Sequence, residues 1–79
     1  MSVYTEDKEL VLQCIAGKRI AQHLVYTKYH QAMYNLCLRM VRDINDAEDV
    51  LQMSFVQVFN KIQAYRYEST LGAWIKRIV

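Results

Sequence analysis

Apolar residues recur at intervals of three and four positions in four stretches of the chain, which predicts four amphipathic helices. Thr5 is the expected N-cap of the first helix, because acidic residues follow it in the first turn. Gly17 is its expected end, because glycine readily adopts the left-handed conformation found at helix C-termini. The predicted apolar face comprises Leu10, Val11, Cys14 and Ile15.

The second and third stretches predict the two longest helices. The second helix is expected from about Lys18 to Arg42. The third is expected to begin at Asn45, which forms a capping-box pattern with Glu48 three residues later. The apolar face of the second helix comprises Ala21, Leu24, Val25, Tyr29, Ala32, Met33, Leu36, Cys37, Met40 and Val41. That of the third comprises Val50, Leu51, Phe55, Val58, Phe59 and Ile62.

A polar, aromatic-rich loop is predicted at residues 63–69, followed by a fourth helix that Ser69 or Thr70 caps. The apolar pattern reaches Val79 without a stop signal, so we expect the chain to be truncated within its last helix. The predicted fold class is all-α, a compact bundle of about four helices forming one domain over residues 1–79. The apolar face of the fourth helix comprises Leu71, Trp74, Ile75 and Ile78.

Composition agrees with an all-helical domain. The 79 residues include two Gly and no Pro, too few turn residues for a sheet-rich fold, and 53% are hydrophobic, which excludes a disordered chain. No apolar run approaches the ~20 residues of a membrane span, and the polar N-terminus does not resemble a signal peptide. Cys14 and Cys37 therefore predict buried thiols in the reducing cytoplasm.

Charge alternates in blocks, although the net charge is only +2. Residues 18–42 contain five basic residues and no acidic ones, whereas residues 43–49 contain four acidic residues and no basic ones. This alternation favours a protein that meets partners of both signs.

The candidate chemistry does not favour a metal site or an enzyme. His23, His30 and Cys37 are spaced by seven residues, about 10.5 Å along a helix, which is too far for two of them to bind one zinc ion. The sequence contains neither a nucleophile elbow nor a glycine-rich phosphate loop. The carboxylates of Asp46 and Asp49 lie at a helix N-terminus, the opposite of the environment that a general acid needs. We expect no catalytic residue, cofactor, metal or small-molecule substrate.

The acidic turn at the start of the third helix has two open interpretations. It is either a well-capped, solvated helix start or a surface that docks onto a basic helix of another protein. The amide of Gln52 and the thioether of Met53 follow close to the same face of the helix, and both groups suit a protein contact. The residues concerned are Asp46, Glu48, Asp49, Gln52 and Met53.

The loop and the fourth helix mix cationic and aromatic side chains. This mixture suits single-stranded nucleic acid, because rings stack on bases and cations neutralise phosphates. Trp74 and Tyr65 have an alternative role in the core, since Trp74 lies on the apolar face and Tyr65 can pack beneath the loop. The candidate DNA-binding residues are Lys61, Tyr65, Arg66, Tyr67, Glu68, Ser69, Trp74, Lys76 and Arg77.

Several of these segments together resemble the second conserved region of bacterial RNA polymerase sigma factors, and the extracytoplasmic-function group matches best. The resemblance is carried by residues 46–55 (DAEDVLQMSF), 58–59 (VF), 65–66 (YR) and 71–78 (LGAWIKRI). Residues 26–29 (YTKY) and 33–40 (MYNLCLRM) resemble the start of that region. The resemblance covers nearly the whole chain, residues 8–79.

The resemblance implies a non-enzymatic transcription initiation domain. In this family, the helix that begins at the acidic turn binds a coiled coil in the largest subunit of the polymerase core, and Asp46, Asp49 and Gln52 match that motif. The loop and final helix bind the minus-ten promoter element and capture a flipped base of the non-template strand. Anti-sigma factors commonly hold such proteins, so one is an expected partner. The base pocket maps onto Arg66, Tyr67, Glu68 and Ser69, and the phosphate contacts onto Lys76 and Arg77.

The chain departs from the family pattern at Met53, where the family usually has Glu. The family also continues beyond the position of Val79 with further basic residues, a linker and a second helical domain. We therefore expect this chain to bind promoter DNA weakly by itself. The alternative hypothesis is a helical protein–protein adaptor that does not bind DNA.

Overall fold

Four α-helices and one short 3₁₀ turn make up the computed structural model, which describes residues 4–79. The elements are α1 (Lys8–Ile15), α2 (Arg19–Val41), α3 (Ile44–Lys61), the 3₁₀ turn (Ile62–Ala64) and α4 (Leu71–Ile78). Residues 4–79 contain no β-strand, so the prediction of an all-α bundle is confirmed. Within the same residues, no helix is both long and apolar enough to cross a membrane.

The α2–α3 pair forms the centre of the bundle. Only Arg42 and Asp43 separate the two helices, and Arg42 makes this tight connection in the left-handed conformation with φ 58°. Its backbone N–H donates to the carbonyl of Leu38 at 2.8 Å, which closes the last turn of α2. Such a short connection returns α3 antiparallel along α2. The first helix packs on α2 and the 3₁₀ turn, and α4 packs on α3.

Every helix contributes to one continuous core. The two cysteines are free thiols inside it, and burial raises the pKa of each. The 3₁₀ turn and the loop that follows it each add one large side chain, so the core extends beneath the loop before α4. The buried apolar residues are Val11, Cys14, Ala21, Val25, Met33, Cys37, Ala47, Leu51, Phe55, Val58, Ile62, Tyr65, Leu71 and Ile75.

The predicted apolar face of α2 is partly wrong. Leu24 and Met40 are more than half exposed, and Ala32 is exposed as well. The 23 residues of α2 extend about 34 Å, whereas the eight residues of α1 extend about 12 Å. The first helix therefore does not reach Met40 near the far end of α2, whereas Leu24, which precedes the buried Val25 by one residue, is turned about 100° away from it around the helix.

Two predicted N-caps are also wrong. Thr5 lies before a turn, and Asp7 occupies the position that precedes α1. Asp43, rather than Asn45, caps α3, because its backbone is extended and its Oδ1 accepts hydrogen bonds from the N–H groups of Asn45 at 2.9 Å and Asp46 at 3.1 Å. The capping box expected between Asn45 and Glu48 therefore does not form.

The end of α1 and the start of α4 agree with the sequence prediction. Gly17 has φ 83°, and the N–H groups of Gly17 and Lys18 donate to the carbonyls of Cys14 and Gln13. These two bonds form a Schellman motif, which ends α1 at the predicted glycine. At the start of α4, the hydroxyl of Thr70 accepts a hydrogen bond from the N–H of Ala73 at 3.2 Å.

The segment before α1 is fixed to α2 by Asp7, an arrangement we call the Asp7 tie. Its Oδ1 binds Lys28 Nζ at 2.7 Å, and its Oδ2 accepts a hydrogen bond from the hydroxyl of Tyr29 at 2.7 Å. Burial alone raises the pKa of Asp7, but the hydrogen bonds and the charge of Lys28 outweigh it and leave the pKa below its ordinary value. Burial raises the pKa of Tyr29 far above its ordinary value, and the contact with Asp7 raises it further.

The N-cap of α3 can be tested by a matched pair of substitutions. Asp43→Ala should lower the free energy of unfolding by about 0.5–2 kcal/mol, because two backbone N–H groups lose their acceptor. Asn45→Ala should change it by less than about 0.5 kcal/mol. Urea denaturation of both variants checks this. A larger effect at Asn45 than at Asp43 would contradict the observed cap.

The Asp7 tie predicts a pH dependence of stability. The folded-state pKa of Asp7 lies below the ordinary value of 3.8, so its contribution is complete above that pH and is lost as pH falls through the folded value. Asp7→Asn should therefore narrow the difference in stability between neutral and acidic solution. Denaturation curves at several pH values, recorded for both proteins, measure it. Parallel pH profiles would contradict the interpretation.

Candidate functional site

Five polar or flexible side chains cover the solvent side of α3. All are exposed, and Met53 is 70% exposed. At about 100° per residue they fall within one arc of about 160°, opposite the buried side of the helix. We call this surface the acidic face. It comprises Asp46, Glu48, Asp49, Gln52 and Met53, and the opposite side buries Ala47, Leu51, Ser54, Phe55 and Val58.

One apolar residue extends the acidic face and was not predicted from the sequence. Val56 is more than half exposed, and it follows Asp49 by seven residues and Gln52 by four. These spacings place the three side chains on one line along the helix. The spacing could have identified Val56, which belongs neither to the predicted apolar face of the helix nor to the predicted acidic turn.

An open groove of about 470 Å³ separates the acidic face from α2. Glu48 and Gln52 line one wall, and Leu51 lies between the walls. The rings of Tyr26 and His30 stack at 5.2 Å with an angle of 13° between their planes. We call this feature the α2–α3 groove. Its α2 wall is formed by Tyr26, His30, Gln31 and Tyr34.

The α2 wall of this groove was not identified from the sequence either. Tyr26, His30 and Tyr34 recur every four residues, so they form one stripe on α2. The repeat was visible, but nothing in the sequence indicated that α3 would lie beside it with Glu48. Stacked rings next to a carboxylate suit a cationic side chain, which is attracted by the faces of the rings and by the charge.

A second depression of about 190 Å³ lies between the loop and α4, and we call it the loop depression. Six of the nine candidate DNA-binding residues line it, together with Ala64. They are Tyr65, Arg66, Glu68, Ser69, Trp74 and Arg77. The structure thus brings most of the predicted set together at one place on the surface.

Aromatic rings form the base of the loop depression. Tyr65 is only 6% exposed, and its ring lies 5.5 Å from that of Trp74 and 4.6 Å from that of Tyr67. Its hydroxyl donates to the carbonyl of Ser69, which closes the loop. Burial raises the pKa of Tyr65, and the nearby Tyr67, Asp7 and Glu6 raise it further. Tyr65 therefore belongs to the core, whereas Trp74 is half-buried.

The remaining three candidates lie outside the loop depression. Tyr67 packs against Tyr65 and has φ 60°, a conformation that non-glycine residues rarely adopt. Lys61 and Lys76 are exposed but do not line the depression. Lys76 precedes Arg77 by one residue, which turns it about 100° around α4 from the arginine.

The acidic face lies on α3, whereas the loop depression lies beyond the C-terminal end of this helix, between the loop and α4. The two surfaces share no residue. They approach each other at α4, because Ile78, the residue after Arg77, lines one shallow depression with Met53. Within residues 4–79, no group of three or more His, Cys, Asp or Glu side chains is arranged to hold a metal ion.

Comparison with known proteins assigns the family. The sequence model of the family described as Sigma-70 region 2 matches residues 25–79, so the chain belongs to the sigma-70 region 2 family. The resemblance noted from the sequence is confirmed, and several relatives are named as sigma factors of the extracytoplasmic-function (ECF) group.

Three relatives illustrate the similarity. RNA polymerase sigma-H factor of Pseudomonas aeruginosa is 30% identical over 78 residues, 99% of this chain and 40% of that protein. ECF RNA polymerase sigma factor SigM of Mycobacterium tuberculosis is 29% identical over 73 residues, 92% of this chain and 37% of that protein. ECF RNA polymerase sigma-E factor of Haemophilus influenzae is 32% identical over 78 residues, 99% of this chain and 41% of that protein. The chain thus spans about two fifths of the length of these relatives.

The closure of the loop by Tyr65 can be tested directly. Tyr65→Phe should lower the free energy of unfolding by about 0.5–1.5 kcal/mol, because the Ser69 carbonyl loses its donor. It should also speed amide hydrogen exchange at residues 66–69. Tyr67→Phe is the matched control, since no hydrogen bond of its hydroxyl occurs within residues 4–79. Equal effects of the two substitutions would contradict this role of the Tyr65 hydroxyl.

Proposed function

We propose that this chain is the region 2 domain of an ECF sigma factor and acts in transcription initiation without being an enzyme. It binds the RNA polymerase core through the acidic face and holds a melted strand of the minus-ten promoter element at the loop depression. The observation that carries the proposal is that two chemically unlike surfaces share no residue: the acidic face lies on α3, and the loop depression lies between the loop and α4. Both can be occupied at once, as a factor that joins polymerase to DNA requires.

The acidic face suits a basic protein helix. Its carboxylates and amide are exposed on a rigid, well-capped helix, so a partner meets them without prior unfolding. Met53 and Val56 add exposed apolar area beside the charges, and this combination of apolar contact and charge complementarity is typical of specific interfaces. The proposed partner is the coiled coil of the largest polymerase subunit.

The α2–α3 groove extends this proposed interface onto α2. A cationic side chain of the partner would lie between Glu48 and the stacked rings of Tyr26 and His30. The groove would thus complement the acidic face with a pocket for one anchoring residue.

The loop depression suits an unstacked base. The half-buried ring of Trp74 offers a stacking surface, and Arg66 and Arg77 on the rim can contact the flanking phosphates. Flipping a base costs a few kcal/mol, about as much as one stacking interaction of ~1–3 kcal/mol returns. Because Arg66 and Arg77 are the only cationic side chains among the described residues that line the depression, the chain alone should hold DNA weakly. Stable strand binding therefore requires the polymerase.

The wider setting of the protein follows from the same proposal. Because the chain spans about two fifths of the length of its relatives, residues 1–79 would correspond to one part of a longer sigma factor. An anti-sigma factor that covers these surfaces is a proposed regulator. The proposed compartment is the cytoplasm, where the polymerase acts and where Cys14 and Cys37 remain thiols.

Two sets of charge reversals separate the proposed activities. Asp49→Lys should weaken binding to RNA polymerase core by at least about tenfold, close to 1.4 kcal/mol. Arg66→Glu combined with Arg77→Glu should leave core binding within about twofold but lower the binding of single-stranded promoter DNA by the chain–core complex at least about tenfold. Fluorescence anisotropy measures both affinities.

The matched control is Glu9→Lys, which makes the same charge change on an exposed residue of α1. It should affect neither affinity. A protein–protein adaptor would give a different pattern, in which the arginine substitutions have no effect on any DNA binding. Loss of core binding in all three variants would also contradict the proposal.

A further inference from the structure

Tyr29 joins two parts of the chain that are far apart in sequence. Its hydroxyl donates to Asp7 Oδ2 at 2.7 Å, and its ring lies against Gly72 in the first turn of α4. A Cβ atom placed on Gly72 would lie 3.0 Å from Tyr29 Cε1, closer than an ordinary van der Waals contact. The start of α4 therefore rests directly on the tyrosine ring, at a spacing that glycine allows without displacement.

The Asp7 tie determines how far this ring can move. The side chain of Asp7 is 13% exposed, and its second carboxylate oxygen, Oδ1, lies 2.7 Å from Lys28 Nζ. The hydroxyl of Tyr29 is therefore bound to a group that is itself fixed. Tyr29 is partly buried against the core, which further limits its rotation. A side chain larger than hydrogen at position 72 would have to displace either this ring or α4.

The loop depression depends on the position of the same turn of α4. Ser69 and Thr70 lie three and two residues before Gly72, and Trp74 and Arg77 follow it. An isolated helix of eight residues is too short to be stable, so α4 takes its position from the contacts it makes. Movement at Gly72 would therefore move three residues that line the depression, Ser69, Trp74 and Arg77.

We propose that Asp7 and Tyr29 are positioning residues for the loop depression: Asp7 fixes the Tyr29 ring, and this ring sets the start of α4 through its contact with Gly72. The inference rests on the proposed function insofar as the depression binds a DNA strand. Neither positioning residue touches the strand. The segment before α1 thus controls strand binding from outside the site.

The first test compares binding of two ligands by the same variants. The 79-residue chain is bound to bacterial RNA polymerase core, and a short fluorescein-labelled single-stranded DNA of randomised sequence is the probe. Tyr29→Phe, which removes only the hydroxyl, should lower affinity for the DNA about threefold to tenfold and change affinity for core by less than about twofold. Thr27→Val is the control, because it also removes a hydroxyl from α2, and this exposed hydroxyl contacts His23 rather than Asp7 or Gly72. It should leave DNA affinity within about twofold.

Equal losses of core and DNA affinity in Tyr29→Phe, or no loss of either, would overturn the proposal. If Tyr29→Phe does not fold, Asp7→Asn serves in the same comparison with the same expected split. The double variant Arg66→Glu, Arg77→Glu distinguishes failure of the proposed function from failure of the positioning role. If it binds the DNA normally, the proposed function fails, and the positioning role is then judged by the second test alone.

The second test needs no DNA. Gly72→Ala should lower the melting temperature, although alanine normally favours a helix over glycine, because the new Cβ meets a ring that cannot move. In an Asp7→Ala background the ring is released, so Gly72→Ala should cause a smaller loss or a gain. Asp7 and Gly72 interact only through Tyr29 in this proposal, so a coupling between them is its specific signature. Additive losses of melting temperature would overturn the positioning role.

Discussion

The burial of one side of α3 against α2 is the constraint on which the rest of the structure depends. Phe55 and Val58 are almost completely inaccessible, and Phe55 also meets the ring of Tyr26 edge-on at 4.9 Å. An amphipathic helix held in this way cannot rotate without exposing its apolar side. The acidic face is therefore fixed outward. The loop depression follows the C-terminal end of the same helix and is completed by α4, which packs on α3.

The amphipathic pattern was sufficient to predict the four helices and the solvent side of α3. It was also sufficient to place Arg66 and Arg77 near Trp74, because they lie close together in sequence around one short loop. It failed for Leu24 and Met40, which fit the apolar repeat of α2 but are more than half exposed. Steps of three and four residues allow more than one stripe along a 23-residue helix, and the stripe that becomes buried is decided by where the neighbouring helices pack.

The errors at the helix starts have a different cause. Asp43 and Asn45 are both good N-caps by residue type, and the choice between them is made by the left-handed Arg42, which turns the chain immediately before Asp43. In the same way, Asp7 was expected to favour the dipole of α1, but its carboxylate binds Lys28 and Tyr29, more than twenty residues away. The α2 wall of the α2–α3 groove was missed for this reason as well. Local patterns predict elements, whereas such contacts depend on how the elements are assembled.

Because the domain is small, residues of the loop before α4 also form part of its core. A chain of 79 residues buries a smaller fraction of its surface than a larger domain does, so it has little stability to spare. Tyr67 nevertheless holds a left-handed conformation, which is costly for a residue with a side chain. The loop maintains it because Tyr65 lies inside the core, binds the Ser69 carbonyl and packs against the Tyr67 ring. A surface that must accept an unstacked base is thus held rigid by residues that also stabilise the fold. Rigidity in the free protein lowers the entropy that is lost on binding, so a domain with few cations can contribute to holding a strand that it would otherwise release.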